Sequence, residues 1–331
     1  MASTTGTMSD TWVEPQGSGI PAPAATRYYT IENDHYRAVI STLGAGLQAL
    51  TFDGRALVET YPQGEVAPLT AGLVLAPWPN RLDEGTFTVD GTEYRMPLNE
   101  QDRSNALHGL VFDRQWHLQE HTSQSVTLGI QIGPENHWPW STEVTATYGL
   151  GEDGLHARFV AQAKDEKVAP TGAIPFVFGW HTYLQAQGAP TDSCTLRVDV
   201  DTQLDLDPQR KLPVGTAHES TLAQELAQGL PLRGHSLDDC FHSSADGFVT
   251  TTFTDESGRG VEMTCSSELS WYQIFTPGED IEIPYPGAPR GRAVAVEPMT
   301  GPPNALTSGI DVHDLARGPQ RLSVRMTAIN P

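Results

Sequence analysis

The chain has 331 residues, with 20 Lys and Arg against 41 Asp and Glu, for a formal net charge of −21. That balance opposes binding to nucleic acid or to an anionic membrane, since both need basic patches. Three cysteines, Cys194, Cys240 and Cys265, are too few and an odd number for a disulfide framework, so a reduced, cytoplasmic setting is the simplest expectation.

Residues 1–26 are rich in Ser, Thr, Gly, Pro and Ala without periodicity and read as a flexible leader. They hold no basic region followed by an apolar core, so no signal peptide is expected, and no apolar run reaches transmembrane length. From Arg27 the pattern changes to strands. Segments 28–32 and 36–41 alternate around an Asn33-Asp34-His35 turn, and 43–52 leads into a second turn at Asp53-Gly54. Gly44-Ala45-Gly46 lacks the third glycine and following helix of a phosphate loop, and a bent strand explains it better.

The stretch 77–116 holds the strongest local signal. Thr86 to Val89 alternates into Asp90-Gly91, and 92–96 alternates back, which predicts a hairpin closed by a type I′ turn. Its flanks are polar: Asn80-Arg81 before it, and Asn105-Ala106-Leu107-His108-Gly109 after it. Closing the hairpin would bring an Asn, an Arg and a His to one spot. Further alternating runs follow at 125–132, 143–150, 155–163, 195–200, 247–253, 260–265, 269–275, 293–296 and 321–328. Only 221–228 reads as helix, with Thr221 as cap and Gly229 as stop. No fixed-period repeat and no linker follow residue 26. The expectation is all-β: one large antiparallel β-sandwich over 27–331, with few short helices.

Four residues in the second half stand out. His181 closes an aromatic run with Gly179, Trp180 and Tyr183, and is either a packed core histidine or an acid beside a ring-stacking site. Glu297 shares a strand face with Ala293 and Ala295, while Val294 and Val296 point the other way. A carboxylate on a face of small residues leaves space for a ligand, but an exposed strand-end glutamate reads the same. Asp238 and Gln273 are on their own an acidic turn and an ordinary strand residue. There is no His-Glu-x-x-His, Cys-x-x-Cys, nucleophile elbow or P-loop, so neither a metal nor a nucleotide cofactor is expected.

Taken together, Asn80-Arg81, the Asp-Gly hairpin, Leu107-His108-Gly109, His181-Thr182-Tyr183-Leu184, Asp238 three residues before Phe241, and Glu297-Pro298 before a Gly/Asn-containing loop resemble the aldose 1-epimerase (mutarotase) family of the galactose mutarotase-like fold. Where that family reads His-Pro-Tyr-Phe, this chain keeps the His and Tyr and replaces the Pro and Phe. The resemblance implies an isomerase that interconverts the α and β anomers of a free hexose such as glucose or galactose, without a cofactor. It assigns Glu297 as base, His181 as acid and His108 as a hydrogen-bonding partner at the ring oxygen. Asn80, Arg81, Asp238 and Gln273 would bind hydroxyls, and Trp180 would pack on the sugar. Ionised Glu297 beside protonated His181 would favour both charged forms. A charged sugar, a hexose 6-phosphate or sulfo-sugar read by arginines such as Arg81, Arg95, Arg103 or Arg114, is the alternative substrate. A non-catalytic carbohydrate-binding relative is the alternative class. The sugar is the only partner implied; the preferred aldose and the oligomeric state are not legible.

Overall fold

The computed structural model describes residues 17–135, 137–164, 172–277, 285 and 292–330. Two antiparallel sheets dominate them. One has nine strands, running from the edge strand His117–His121 through Thr142–Gly151, Gly154–Ala163 and Gln320–Ile329 to Leu230–Pro231. The other has seven, with Trp271–Phe275 and Val294–Met299 at its centre, Asp238–His242 on one side, and Gly179–Trp180 and Val74–Leu75 on the other. Smaller sheets include the four strands between Tyr28 and Ala56. The architecture is the expected β-sandwich.

Strict alternation makes this stacking possible. In Thr142–Gly151 every second residue is buried, and the opposite set is partly exposed. Tyr148 and Phe159 of the nine-stranded sheet meet Trp180 of the other sheet, at ring-centroid distances of 6.0 and 5.4 Å. Val294, Val296, Tyr272, Ile274 and Phe241 join the same buried cluster. One face of the seven-stranded sheet is therefore committed to the core, and the other is left for different use.

The hairpin forms as its sequence requires. Thr86–Val89 pairs with Thr92–Arg95, and Asp90 and Gly91 both take positive φ, 49° and 79°. Its flanks pair as well: Arg81–Asp83 lies against Asn105–Leu107, with Arg81 opposite Leu107. Gly44, at φ 62°, sits in a turn where a Cβ would meet Phe112 O at 2.4 Å, so the glycines serve a close backbone approach and not a phosphate.

Three local expectations need correction. The helix Thr221–Gln228 is capped by Ser220, whose hydroxyl accepts from Ala223 N–H, and not by Thr221. A second helix of one turn covers Ala305–Ser308. Part of the expected leader is bonded to the chain that follows it: Ser18 donates to Val66 O at 2.8 Å, and Pro21 bridges to Glu65. Residues 1–16 of that leader lie outside the described residues.

Candidate active site

The site is built on the face of the seven-stranded sheet that points away from the core. Strand register places its parts. Gln273 is directly opposite Glu297. Gly179 pairs with Met299 and Thr182 with Val296, which sets His181 opposite Glu297 from the other side. Three adjacent strands thus present His181, Glu297 and Gln273 as a row. Glu297 lies within its strand, which continues to Met299, and not at a strand end.

The row is buried, and each of its two ends is bonded to a neighbour. His181 Nε2 lies 3.3 Å from Glu297 Oε1, with side-chain exposures of 6% and 3%. Gln273 donates to Asp238 Oδ1 at 2.9 Å and accepts from Asn80 Nδ2 at 3.3 Å. Asp238 also meets Lys211 Nζ at 2.9 Å. His181 Nδ1 and Glu297 Oε2 are buried without a hydrogen-bond partner. Buried polar atoms are almost always satisfied, so these two adjacent atoms require partners from a bound molecule or water.

The hairpin base delivers the rest. Asn80 and His108 both take left-handed backbone conformations, φ 52° and 65°, and bond each other. His108 N–H donates to Asn80 O at 2.9 Å, and Asn80 N–H donates to His108 Nδ1 at 3.2 Å. Because Nδ1 accepts, the proton of the neutral imidazole is on Nε2, and His108 is a donor there. Burial and the neighbouring His181 and Arg81 hold it well below the usual histidine range, which keeps the ring neutral. The two imidazoles meet edge to face at 5.3 Å. Arg81 is clamped by Glu100, with Nε to Oε2 and Nη2 to Oε1 both at 2.8 Å. Burial alone would raise Glu100, but hydrogen bonds from Arg81 and Asn105 outweigh it and hold the carboxyl below its usual range.

Electrostatics overturns the expectation of a mutually stabilised ion pair. Burial, helped by Asp238, pushes Glu297 up to about 8 against the opposing pull of Arg81. Burial pushes His181 down to about 3. Desolvation penalises both charges more than their proximity rewards them. Between those limits the pair holds one proton, and it rests on the Glu297 carboxyl beside a neutral His181.

Trp180 is the expected site residue that does not join. It is fully buried, its indole N–H donates to Gly72 O at 2.9 Å, and it packs on Phe159. Strand alternation sends it to the core face because its neighbour His181 is on the other. Two residues before His181, a Cβ at Gly179 would meet Pro79 Cβ at 2.5 Å, so the bare glycine admits the chain leading to Asn80. Sequence reasoning missed Lys211, which no periodic pattern singles out, and the role of Tyr183. The Tyr183 ring stacks on His181 at 5.3 Å and 16°, and its buried hydroxyl has no partner. Among the described residues no cluster of three or more His, Cys, Asp or Glu side chains is arranged to hold a metal ion.

A β-sandwich with a buried carboxylate–imidazole pair on one sheet face defines a protein of the galactose mutarotase-like fold. A GalM/aldose epimerase homologue from Caenorhabditis elegans superposes with a TM-score of 0.77 over 92% of this chain and 99% of its own, at 18% identity. A putative aldose 1-epimerase from Escherichia coli K12 does so with a TM-score of 0.73 over 92% and 99%, at 20% identity. In sequence, the uncharacterized protein YihR of Escherichia coli K12 is 31% identical over 288 residues, spanning 87% of this chain and 88% of its own. The galactose mutarotase of Homo sapiens is 28% identical over 214 residues, 58% of each chain. The family model described as aldose 1-epimerase matches residues 27–314, and the chain belongs to that family: it is an isomerase.

Proposed function

We propose that this enzyme interconverts the α and β anomers of a free, uncharged aldohexose, with Glu297 and His181 as its proton-transfer pair. The observation that carries the reading is their 3.3 Å contact in a buried site, with one polar atom of each left unpartnered. Ring opening needs a proton removed from the C1 hydroxyl and one delivered to the ring oxygen. Glu297 takes the first and His181 gives the second; the C1–ring-oxygen bond breaks as the C1 carbonyl forms. Rotation about C1–C2 and reversal of both transfers close the ring on the other face. A pair that holds one proton suits this cycle, because the proton count is the same before and after. Sugar hydroxyls that bond to the carboxylate would favour its ionised form and pass the proton to His181. His108 Nε2–H is a fixed donor for the ring oxygen as it takes up charge. Arg81, Asn80, Gln273 and Asp238 provide donors and acceptors for hydroxyls.

An uncharged substrate is favoured over a phosphorylated or sulfonated one by the pairing of the nearby cations. Arg81 and Arg103 both meet Glu100, Arg210 meets Asp83, and Lys211 meets Asp238. Arg95 and Arg114 pair instead with Glu93 and Glu135. Retention of both His181 and Glu297 favours catalysis over mere carbohydrate binding. We further propose a single domain over 27–331, supported by one hydrophobic cluster shared by both sheets, and a reducing cytoplasmic setting, supported by three buried unpaired thiols.

Polarimetry on freshly dissolved α-glucose and α-galactose tests the reading. His181→Asn and Glu297→Gln are each expected to lose about 10²-fold or more in kcat/KM. Wild-type kcat/KM is expected to be flat from pH 5 to 7 and to fall above about 8, where the pair loses its proton. An unaccelerated wild type, or full activity in either variant, contradicts it. Competition by a hexose 6-phosphate at concentrations where free hexose does not compete would reassign the substrate.

A further inference from the structure

Between the strand Thr202–Leu204 and the helix Thr221–Gln228 a loop carries Lys211 to the end of the polar row. Lys211 Nζ and Asp238 Oδ2 are 2.9 Å apart, with side chains 24% and 23% exposed. The other Asp238 oxygen accepts from Gln273, which stands opposite Glu297. Lys211 thus stands at one end of the polar row and His181 at the other, with Asp238, Gln273 and Glu297 between them.

The lysine is held by its loop. It takes a left-handed φ of 56°, and its N–H donates to Asp207 O at 2.8 Å. Asp207 Oδ1 accepts from the N–H of Gln209 and of Arg210, at 3.0 and 2.6 Å. Arg210 then meets Asp83 at 2.7 Å and donates to Arg103 O at 3.1 Å, which ties the loop to the base of the hairpin that delivers Asn80 and Arg81. These bonds fix the backbone from which the flexible lysine stem starts, and Asp238 holds the ammonium itself.

An ammonium has three donors and a carboxylate only acceptors. Side by side, they match two neighbouring hydroxyls on a sugar. The Asp238 strand is two strands from that of Glu297, and Asp238 lies two residues along from Cys240, which is in register with Gln273 and Glu297, so the two backbones are about 12 Å apart at ordinary strand dimensions. A pyranose with a hydrogen bond at each end is of that order.

We propose that Lys211 is a specificity-determining residue: its ammonium, held against Asp238, donates to a ring hydroxyl opposite the anomeric carbon while Asp238 accepts from the adjacent one. The proposal rests on the reading of this face as a hexose site, and the wild-type mutarotation rate tests that reading separately and first.

The test is Lys211→Met, which keeps the stem and removes the charge, assayed by polarimetry on D-glucose, 3-deoxyglucose and 4-deoxyglucose. KM for glucose is expected to rise about tenfold, the effect of one hydrogen bond to a charged group, with kcat within about twofold. For the deoxy sugar that lacks the hydroxyl read by Lys211, wild type and variant are expected to have the same KM. Lys211→Arg, which keeps a cation in the loop, is expected to hold KM for glucose within about threefold and serves as the folding control. A uniform rise in KM across all three sugars, which a role confined to supporting Asp238 would give, overturns the proposal. So does an unchanged KM for glucose.

Discussion

The two faces of the seven-stranded sheet are made by the same strands yet obey opposite rules. On the core face, Trp180, Tyr272, Ile274, Val294 and Val296 pack against the nine-stranded sheet. On the other, His181, Gln273, Ala295 and Glu297 occupy the intervening positions, nearly as deeply buried. The first face gains stability from apolar area removed from water. The second keeps a carboxyl and an imidazole out of water with one polar atom of each unsatisfied. Burial stabilises the fold in one case and shifts the protonation of the proposed proton-transfer pair in the other, at a cost to stability.

The sharpest way to break this contrast is Glu297→Gln, which is expected to abolish nearly all activity and yet stabilise the protein at high pH. Burial raises the Glu297 carboxyl from 4.5 to about 8, so between these limits the folded chain binds more protons than the unfolded one and stability falls as pH rises. His181 has the reverse sign: lowered from 6.5 to about 3, it makes stability rise with pH across that window. Glu297→Gln removes only the first effect. Its gain over wild type is expected to grow from pH 4.5 to pH 8, reaching at least about 1 kcal/mol. Urea unfolding at pH 5 and pH 8 checks this, and an equal or smaller stability than wild type at pH 8 contradicts it.

On the opposite face, Trp180→Ala is expected to cost about 3–5 kcal/mol of stability. The folded fraction should keep KM within about threefold, because the indole contacts the core and not the site. A large KM rise without destabilisation would return Trp180 to the pocket. The smallest expected effect falls where the two faces meet the hairpin. Gly179→Ala places a methyl on Pro79 and is expected to cost about 1–3 kcal/mol. Because Pro79 precedes Asn80, kcat/KM should fall with stability, in contrast to Trp180→Ala.

Much of this was legible locally. Asp90-Gly91 announced its turn because few residue pairs tolerate two positive φ values. The alternation around Glu297 separated the alanines from the valines, and the structure sends them to opposite faces. The same rule, applied to Trp180, would have removed it from the site: two sequence neighbours in a strand cannot both face one ligand. Lys211 was invisible, since an irregular loop has no period to read. The charge state of the pair was also out of reach, because desolvation depends on everything packed around the two groups and not on which residues they are.

The sequence by itself determined the strands, the turns and which residues of each strand share a face, because side-chain alternation is a property of the local backbone. Only the tertiary structure decided that His181, Glu297 and Gln273 stand in one row. That row depends on hydrogen-bond register between segments far apart in the chain, where a slip of one residue would turn a strand's side chains to the other face.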